Sequence, residues 1–192
     1  MTWPPTGSWP ILIDRAGLTP RHCEHCVSHP TESGRLTWLH KLAALSWADR
    51  WLLVEVFALL GAAWLALRLI PFRRLARRLG PLQSETSTDA SPAQLEQAQR
   101  VRLAIARVAP RTPWESNCFP QALAAKFWLQ RHGIPSTLYL GVALNKAGAA
   151  APDSPAMEAH AWLRCGPLVV TGARGSERFT IVARFGDPSA VR

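Results

Sequence analysis

The chain has few cysteines for its length, and it lacks the pattern of a secretory signal. Only four of its 192 residues are Cys. No basic segment followed by an apolar stretch stands at the N-terminus. Because disulfides persist in oxidising compartments, we expect a cytoplasmic protein whose cysteines are thiols or ligands.

Acidic residues are also scarce. The sequence has 13 Asp and Glu against 22 Lys and Arg, a formal charge of +9. This balance favours an acidic partner, an anionic membrane face or nucleic acid. The sequence lacks a zinc-finger spacing, a helix-turn-helix pattern and a basic motif interleaved with aromatic residues, so we expect no nucleic-acid partner.

Residues 1–35 lack helical periodicity and are rich in Pro, Gly, Thr and Ser, which predicts a poorly ordered extension. A short stretch within them has the spacing of half a zinc site, formed by His22, Cys23, His25 and Cys26. The second half is missing, because Cys118 and Cys165 do not form a matching pair. We therefore expect no metal, with those four residues as the alternative ligand set.

The chain also lacks a long uncharged apolar run. Residues 51–70 are almost wholly apolar, but Glu55 and Arg68 leave an uncharged core of 12 residues, 56–67. A membrane span needs about 20 apolar residues. We favour a packed helix or an interaction surface, and the alternative is membrane contact through residues 47–79. In a span, both charges would snorkel, and the arginines after Pro71 would mark the cytoplasmic side.

Composition and periodicity divide the chain into four parts. Residues 1–35 are the extension, 36–80 a helical region, 81–91 a linker, and 92–192 a domain. Ser91, Pro92 and Gln94 predict a capped helix that continues to about residue 108. Beyond Gly133 the apolar period changes from 3.6 to 2, which predicts strands over 136–144, 158–165, 168–171 and 178–185. The fold class is therefore α+β, with helices before an antiparallel sheet.

One thiol stands at the start of a predicted helix. Ser116 or Asn117 is a suitable N-cap for a helix that includes Cys118 and Pro120. The positive end of the helix dipole favours the thiolate of Cys118 over the thiol. A thiolate nucleophile needs a base, and the candidate is His160 on the strand predicted over 158–165.

Several short motifs occur in a recognisable order. Asn117-Cys118-Phe, Gly133-Ile-Pro135, a strand ending in Leu140-Gly-Val142, and Ala159-His-Ala-Trp162 follow one another. This order resembles the transglutaminase-like cysteine protease domain of the lasso-peptide B proteins, in particular the stand-alone leader peptidases. The likeness extends over about residues 40–185.

The resemblance implies a function and partners. Such enzymes cut the leader from a ribosomally made precursor peptide, and an asparagine-synthetase-like cyclase then closes the macrolactam ring. The leader-recognition domain is expected on a separate protein, because residues 1–35 are too short for it. No cofactor is expected, since the sequence has no Gly-rich Lys-Ser/Thr phosphate motif and any ATP requirement would come from the cyclase.

The third catalytic group is left open by the sequence. The family pattern has an Asp about a dozen residues after the His, where this chain has Thr171-Gly172. If Cys165-Gly166 form the hairpin turn, Thr171 lies opposite His160 and is the candidate that orients the ring, whereas a turn at Gly166-Pro167 moves the partner to Ala173. A carboxylate such as Glu177 or Asp187 is another candidate, and a dyad with no acidic member is equally compatible with the sequence.

The oxyanion of a tetrahedral intermediate would be stabilised by the Cys118 backbone N–H and a side-chain amide, with Gln121 and Asn117 as the candidates. Two other functions fit the same residues. One is a thioester-forming acyl transferase of the same fold, and the other is a non-catalytic scaffold that holds precursor and cyclase together.

Overall fold

The computed structural model describes residues 45–144 and 157–187. The helices and strands of these ranges, in chain order, are α1 (Trp47–Leu69), α2 (Phe72–Leu79), α3 (Pro92–Val108), α4 (Cys118–Arg131), β1 (Thr137–Leu144), β2 (Met157–Cys165), β3 (Leu168–Thr171) and β4 (Thr180–Gly186). Single 3₁₀ turns follow α3 and precede β4. The expected α+β class is confirmed, and each predicted strand begins and ends within two residues of its observed bounds.

Local sequence explains where the helices begin. The Ser46 hydroxyl accepts the backbone N–H of Asp49 at the start of α1. At α3, Ser91 and Gln94 form the reciprocal capping box that their spacing predicts, and Pro92 occupies the first turn. These bonds satisfy donors that have no partner inside a helix.

The four strands form one antiparallel sheet in the order β3-β2-β1-β4. Side chains alternate between the two faces of each strand. Leu138, Ala161 and Leu163 belong to the core that the sheet shares with the helices. We call this side the helix face of the sheet. The directly paired Tyr139 and Trp162 stack on one another on the other side, the outer face.

α1 is packed into the same core. It lies against α3 and α4, and its buried side chains are Leu52, Val56, Leu60 and Ala63. Glu55 accepts a hydrogen bond from Trp128 Nε1 at 2.9 Å and pairs with Arg131 at 3.1 Å. The helical region and the domain that follows it therefore form one core. By length and composition alone, α1 would also suffice to cross a membrane.

Residues 81–91 contain no helix, yet they pack along the sheet. The Thr86 backbone N–H donates to Thr137 Oγ1 at 2.9 Å, and Gln83 N–H donates to the Arg184 carbonyl at 2.8 Å. The Glu85 carboxylate binds Arg164 and Arg184. A segment with linker composition thus runs across the strands as a bonded strap.

Some predictions fall outside the described residues. These concern the extension over 1–35 with its His22, Cys23, His25 and Cys26, and the first part of the helical region, residues 36–44. Within residues 45–144 and 157–187, no group of three His, Cys, Asp or Glu side chains is arranged to hold a metal ion.

Candidate active site

Cys118 is the first residue of α4, and it is partly exposed. Asn117 occupies the N-cap position, but its side chain makes no capping bond. The Ser116 hydroxyl bonds to the Thr112 hydroxyl at 2.8 Å instead. The prediction that one of these two side chains caps the helix is therefore wrong, because Thr112 competes for Ser116 and the Asn117 side chain is exposed.

The loop before Cys118 is fixed by its own hydrogen bonds. Besides Ser116, Thr112 Oγ1 bonds to the carbonyls of Ala109 at 3.0 Å and Trp114 at 2.9 Å. The Trp114 ring packs against α1, with its centroid 5.0 Å from that of Phe57. The approach of the chain to Cys118 is thus held between α1 and the end of α3.

Cys165 offers a contrast to Cys118. It is fully buried at the end of β2. Burial raises the pKa of the Cys165 thiol, because a thiolate loses its hydration in an apolar surrounding. Cys165 is therefore a packed thiol, whereas Cys118 lies partly exposed at the N-terminus of a helix.

His160 lies in β2 with a buried ring, 5% exposed. The ring stacks with those of Phe179, at a centroid distance of 4.9 Å, and Trp162, at 5.8 Å. Its Nε2 is 2.8 Å from the carbonyl oxygen of Gly172. Because a carbonyl oxygen only accepts, Nε2 carries the proton, and Nδ1 is the nitrogen with a basic lone pair.

The hairpin register explains why Gly172 is the partner. The turn lies at Gly166-Pro167, and Cys165 pairs with Leu168. A register shift then places Thr171 opposite Leu163, not opposite His160. The Thr171 hydroxyl is buried without a hydrogen-bond partner in the described part of the chain. Thr171 consequently does not orient the ring. The orienting group is also not the residue that a regular two-residue turn would place directly opposite His160.

Gly172 comes so close to β2 that no side chain fits there. Its φ is +70°, and an added Cβ would lie 2.4 Å from the Ala161 carbonyl oxygen. The absence of a side chain thus lets the backbone approach the strand and present its carbonyl to His160. The sequence did not predict this contact, because every residue has a carbonyl and only the strand register shows which carbonyl reaches the His160 ring. The glycine twelve positions after the histidine was the available signal.

The candidate carboxylates do not bond to the ring. Asp187 is buried and accepts hydrogen bonds from Ser136 N–H at 2.8 Å and Gln130 Nε2 at 2.6 Å. It also forms an ion pair with the fully buried Lys126 at 2.9 Å. Glu177 lies exposed in the 3₁₀ turn before β4. The group in contact with His160 Nε2 is therefore a backbone dipole, not a charge.

The two amide candidates for an oxyanion site differ in their bonds. Gln121 Nε2 donates to the Ser116 carbonyl at 2.6 Å, which uses one of its two N–H groups. Asn117 is exposed and its side chain is not engaged in capping. Both residues flank Cys118, and both retain an amide N–H for a ligand.

α4 packs against β2, so the elements that carry Cys118 and His160 are in direct contact. Ala161 and Leu163 face α4, and His160 leaves β2 on the outer face. A bond between Cys118 Sγ and His160 Nδ1 stays a prediction. The helix-terminal thiol and the positioned imidazole thus lie on neighbouring elements, and acyl transfer through a thioester requires the two groups within hydrogen-bond reach of each other.

Comparison with protein families agrees with this chemistry. The transglutaminase-like superfamily matches residues 66–184, which is more than half of the chain. No curated protein and no solved structure gave a significant match. Members of this superfamily are typically cysteine-dependent enzymes. With the thiol on α4 and the histidine on the adjoining sheet, the chain belongs to the transglutaminase-like superfamily.

Proposed function

We propose that this protein is a cysteine peptidase that removes the leader from a lasso-type precursor peptide. Its partners would be the precursor, a separate leader-recognition protein and an asparagine-synthetase-like cyclase. The superfamily match supports a cysteine enzyme. The narrower assignment is supported by the order of the Cys118, Gly133-Ile-Pro135 and Ala159-His-Ala-Trp162 motifs.

The observation that carries the proposal is the hydrogen bond between His160 Nε2 and the Gly172 carbonyl. It fixes the neutral tautomer in which Nδ1 is the base, and it limits rotation of the ring. A basic Nδ1, on a strand packed against the helix of the partly exposed Cys118, supports the assignment of His160 as the base for that thiol.

The reaction proceeds in two stages. In the first, Nδ1 of His160 accepts the thiol proton, and Cys118 Sγ attacks the carbonyl carbon at the leader–core junction. The C–N bond then breaks, His160 returns the proton to the leaving amine, and a thioester remains on Cys118. In the second stage, His160 takes a proton from water, whose oxygen attacks the thioester. The C–S bond then breaks, His160 returns the proton to the Cys118 sulfur, and the product acid ionises in solvent to a carboxylate.

Charge on the tetrahedral oxygen requires donors near Cys118. The backbone N–H of Cys118 at the helix end and an amide N–H of Asn117 or Gln121 are the groups we assign to it. Loss of one such donor typically lowers kcat by about a hundredfold to a thousandfold. Asn117→Ala and Gln121→Ala therefore identify which amide contributes.

The decisive experiment is mass spectrometry of a precursor peptide incubated with the recognition protein and this chain. The wild type should release leader and core, and Cys118→Ala should lower the rate by on the order of 10⁴-fold or more. His160→Ala should have a similar effect. Cys165→Ala is the matched control, since it removes a thiol that is buried, and it should still cleave. Thermal melting establishes that each variant is folded.

Two results would redirect the assignment. If an added amine is joined to the precursor and no free carboxylate appears, the thioester is used for transfer and the protein is an acyl transferase. If the Cys118→Ala variant supports maturation as well as the wild type does, the protein is a scaffold and the peptidase proposal is wrong.

Alkylation by iodoacetamide tests the base separately from the substrate. A thiolate reacts, and a thiol does so far more slowly. If His160 activates Cys118, the His160→Ala variant should alkylate Cys118 more slowly near neutral pH. Equal rates would show that the two side chains do not interact in the free protein.

A further inference from the structure

α1 carries apolar side chains on two opposite faces. One face is buried against α3 and α4. The other is exposed, with members three or four residues apart, namely Trp47, Trp51, Val54, Ala58, Ala62, Leu65 and Leu69. We call this set the outward stripe. Its large side chains are between 48% exposed, at Leu65, and 79% exposed, at Trp47. A stripe this long is more than the scattered surface apolar residues of an ordinary soluble domain.

The inward face excludes a simple membrane span. Glu55 bonds to Trp128 and Arg131 of α4, and Val56 and Leu60 are almost completely buried. A helix that crosses a bilayer would have to leave these contacts and take Glu55 into hydrocarbon. The outward stripe, by contrast, is available to a lipid phase while the fold stays intact.

A basic cluster follows the stripe directly. After Pro71, α2 places four exposed arginines on the side away from its buried Leu75 and Leu79. These are Arg73, Arg74, Arg77 and Arg78. No acidic residue occurs in α2. A guanidinium binds phosphate oxygens through several N–H groups, so the cluster suits anionic lipid headgroups.

We propose that the outward stripe and the basic cluster together dock on an anionic bilayer surface, with α1 lying in the plane of the membrane. The stripe then lies at the boundary of headgroups and acyl chains, and the arginines of α2 contact lipid phosphates. Trp47 and Trp51 have the side chains that prefer this boundary. A second copy is disfavoured as the occupant, because it would bring the same arginines and the same net charge of +9.

The test is flotation of the purified full-length protein with lipid vesicles. Phosphatidylcholine vesicles are compared with vesicles that also contain phosphatidylglycerol, at low and high salt. We expect binding to the anionic vesicles that weakens as salt rises. The assay needs no peptide substrate, so its outcome is independent of the proposed peptidase activity.

Two variants separate the apolar and charged contributions. Trp51→Ser with Leu65→Ser should weaken vesicle binding by about a hundredfold, since each large side chain contributes roughly a tenfold factor or more. Arg73→Gln with Arg77→Gln should weaken it by about thirtyfold. Arg102→Gln with Arg107→Gln removes the same charge from the exposed side of α3 and should have little effect, as should Leu103→Gln.

Three outcomes would overturn the proposal. The first is a wild type that does not float with anionic vesicles. The second is binding that the α3 variants weaken as much as the α1 and α2 variants do, because that indicates nonspecific charge. The third combines two results: the wild type does not bind vesicles, and Trp51→Ser with Leu65→Ser changes the oligomeric state measured by light scattering. The stripe would then be a protein interface.

Discussion

Two regions of the domain are held together in different ways. At the start of β1 and the end of β4, charges are paired: the buried Lys126 with the buried Asp187 on the helix face, and the exposed Glu85 with the largely buried Arg164 on the outer face. We call this region the ion-paired end. Cys118 is about 12 Å from Lys126 along α4, and His160 is about 13 Å from Arg164 along β2.

The candidate catalytic region differs, because the ion pair that lies near His160 along β2, between Glu158 and Arg178, is exposed. Cys118 is partly exposed at an N-terminus without a side-chain cap, and His160 is positioned by a backbone carbonyl and two aromatic rings. The ion pair of Lys126 lies in the C-terminal half of α4, whereas the thiol of Cys118 stands at the partly exposed N-terminal end of the same helix.

The largest expected effect on stability is at the ion-paired end. Burial lowers the pKa of the Lys126 ammonium, and the Asp187 carboxylate opposes that shift. Asp187→Asn leaves Lys126 without its counter-charge and should lower the free energy of unfolding by about 3–5 kcal/mol. Urea denaturation measures the loss.

Glu158→Gln is the control for that variant, because it breaks the exposed Arg178–Glu158 pair. An exposed pair contributes about 1 kcal/mol or less. Equal losses in the two variants would contradict the difference between the regions. Replacing both buried partners, Lys126→Met with Asp187→Leu, should recover part of the stability, since no unpaired charge is then left inside.

The second effect concerns the candidate site. In Gly172→Ala, the new Cβ meets the Ala161 carbonyl, so the backbone must move and carry the Gly172 carbonyl away from His160. We expect peptidase activity to fall by about ten- to a hundredfold, as when positioning is lost. The loss should appear in kcat, together with a changed pH profile, because the orientation of the base is altered.

Gly175→Ala is the matched control for Gly172→Ala. Gly175 has the same left-handed backbone, with φ +73°, but its nearest neighbour is the Arg178 side chain at 3.5 Å. Both variants carry the conformational penalty of about 1–2 kcal/mol, and only Gly172→Ala meets backbone. If Gly175→Ala lowers kcat as much, the carbonyl contact is not what positions His160.

The smallest expected effect is on the pH dependence of stability, and it again concerns the ion-paired end. Hydrogen bonds from Tyr139, Arg184 and Arg164 and the positive charge of Arg164 lower the pKa of Glu85 below its ordinary value of 4.5. A lowered folded-state pKa stabilises the protein above that ordinary value, and the contribution is lost as pH falls through the folded pKa. Glu85→Gln should therefore lose less stability on acidification below pH 4.5 than the wild type does.

Denaturation midpoints at neutral and acidic pH measure this difference. Glu96→Gln, at an exposed position on α3, is the comparison variant and should keep the acid sensitivity of the wild type. Identical acid sensitivity of Glu85→Gln and the wild type would show that the strap over residues 81–91 is not held by its carboxylate.

Much of the fold follows from local pattern. The Ser91 capping box, the start of the helix at Cys118 and the change to a period of two beyond Gly133 depend on neighbours a few residues apart, and each has its place in the structure. The packing of the strap was harder to predict. Its composition is that of a linker, and its hydrogen bonds are to residues about 50 to 100 positions away.

Which face of α1 is buried could also not be predicted from the sequence. A helix with apolar residues on all sides is compatible with a core, a membrane or an interface. Packing against α3 and α4 selected the side with Val56 and Leu60 for the core and left the side with Trp51 and Leu65 exposed. The burial of Lys126 could likewise not be predicted, because only the folded chain brings its partner Asp187 close to it.

The sequence by itself determined the α+β class, the bounds of the strands and the choice of Cys118 and His160 as candidates, because periodicity and short motifs are local properties. Tertiary structure decided what holds the histidine. The turn at Gly166-Pro167 and one register shift moved Thr171 to Leu163 and brought the Gly172 carbonyl to the ring. A hairpin's register depends on packing across strands, and every residue has a backbone carbonyl, so only the folded hairpin shows which one reaches the ring.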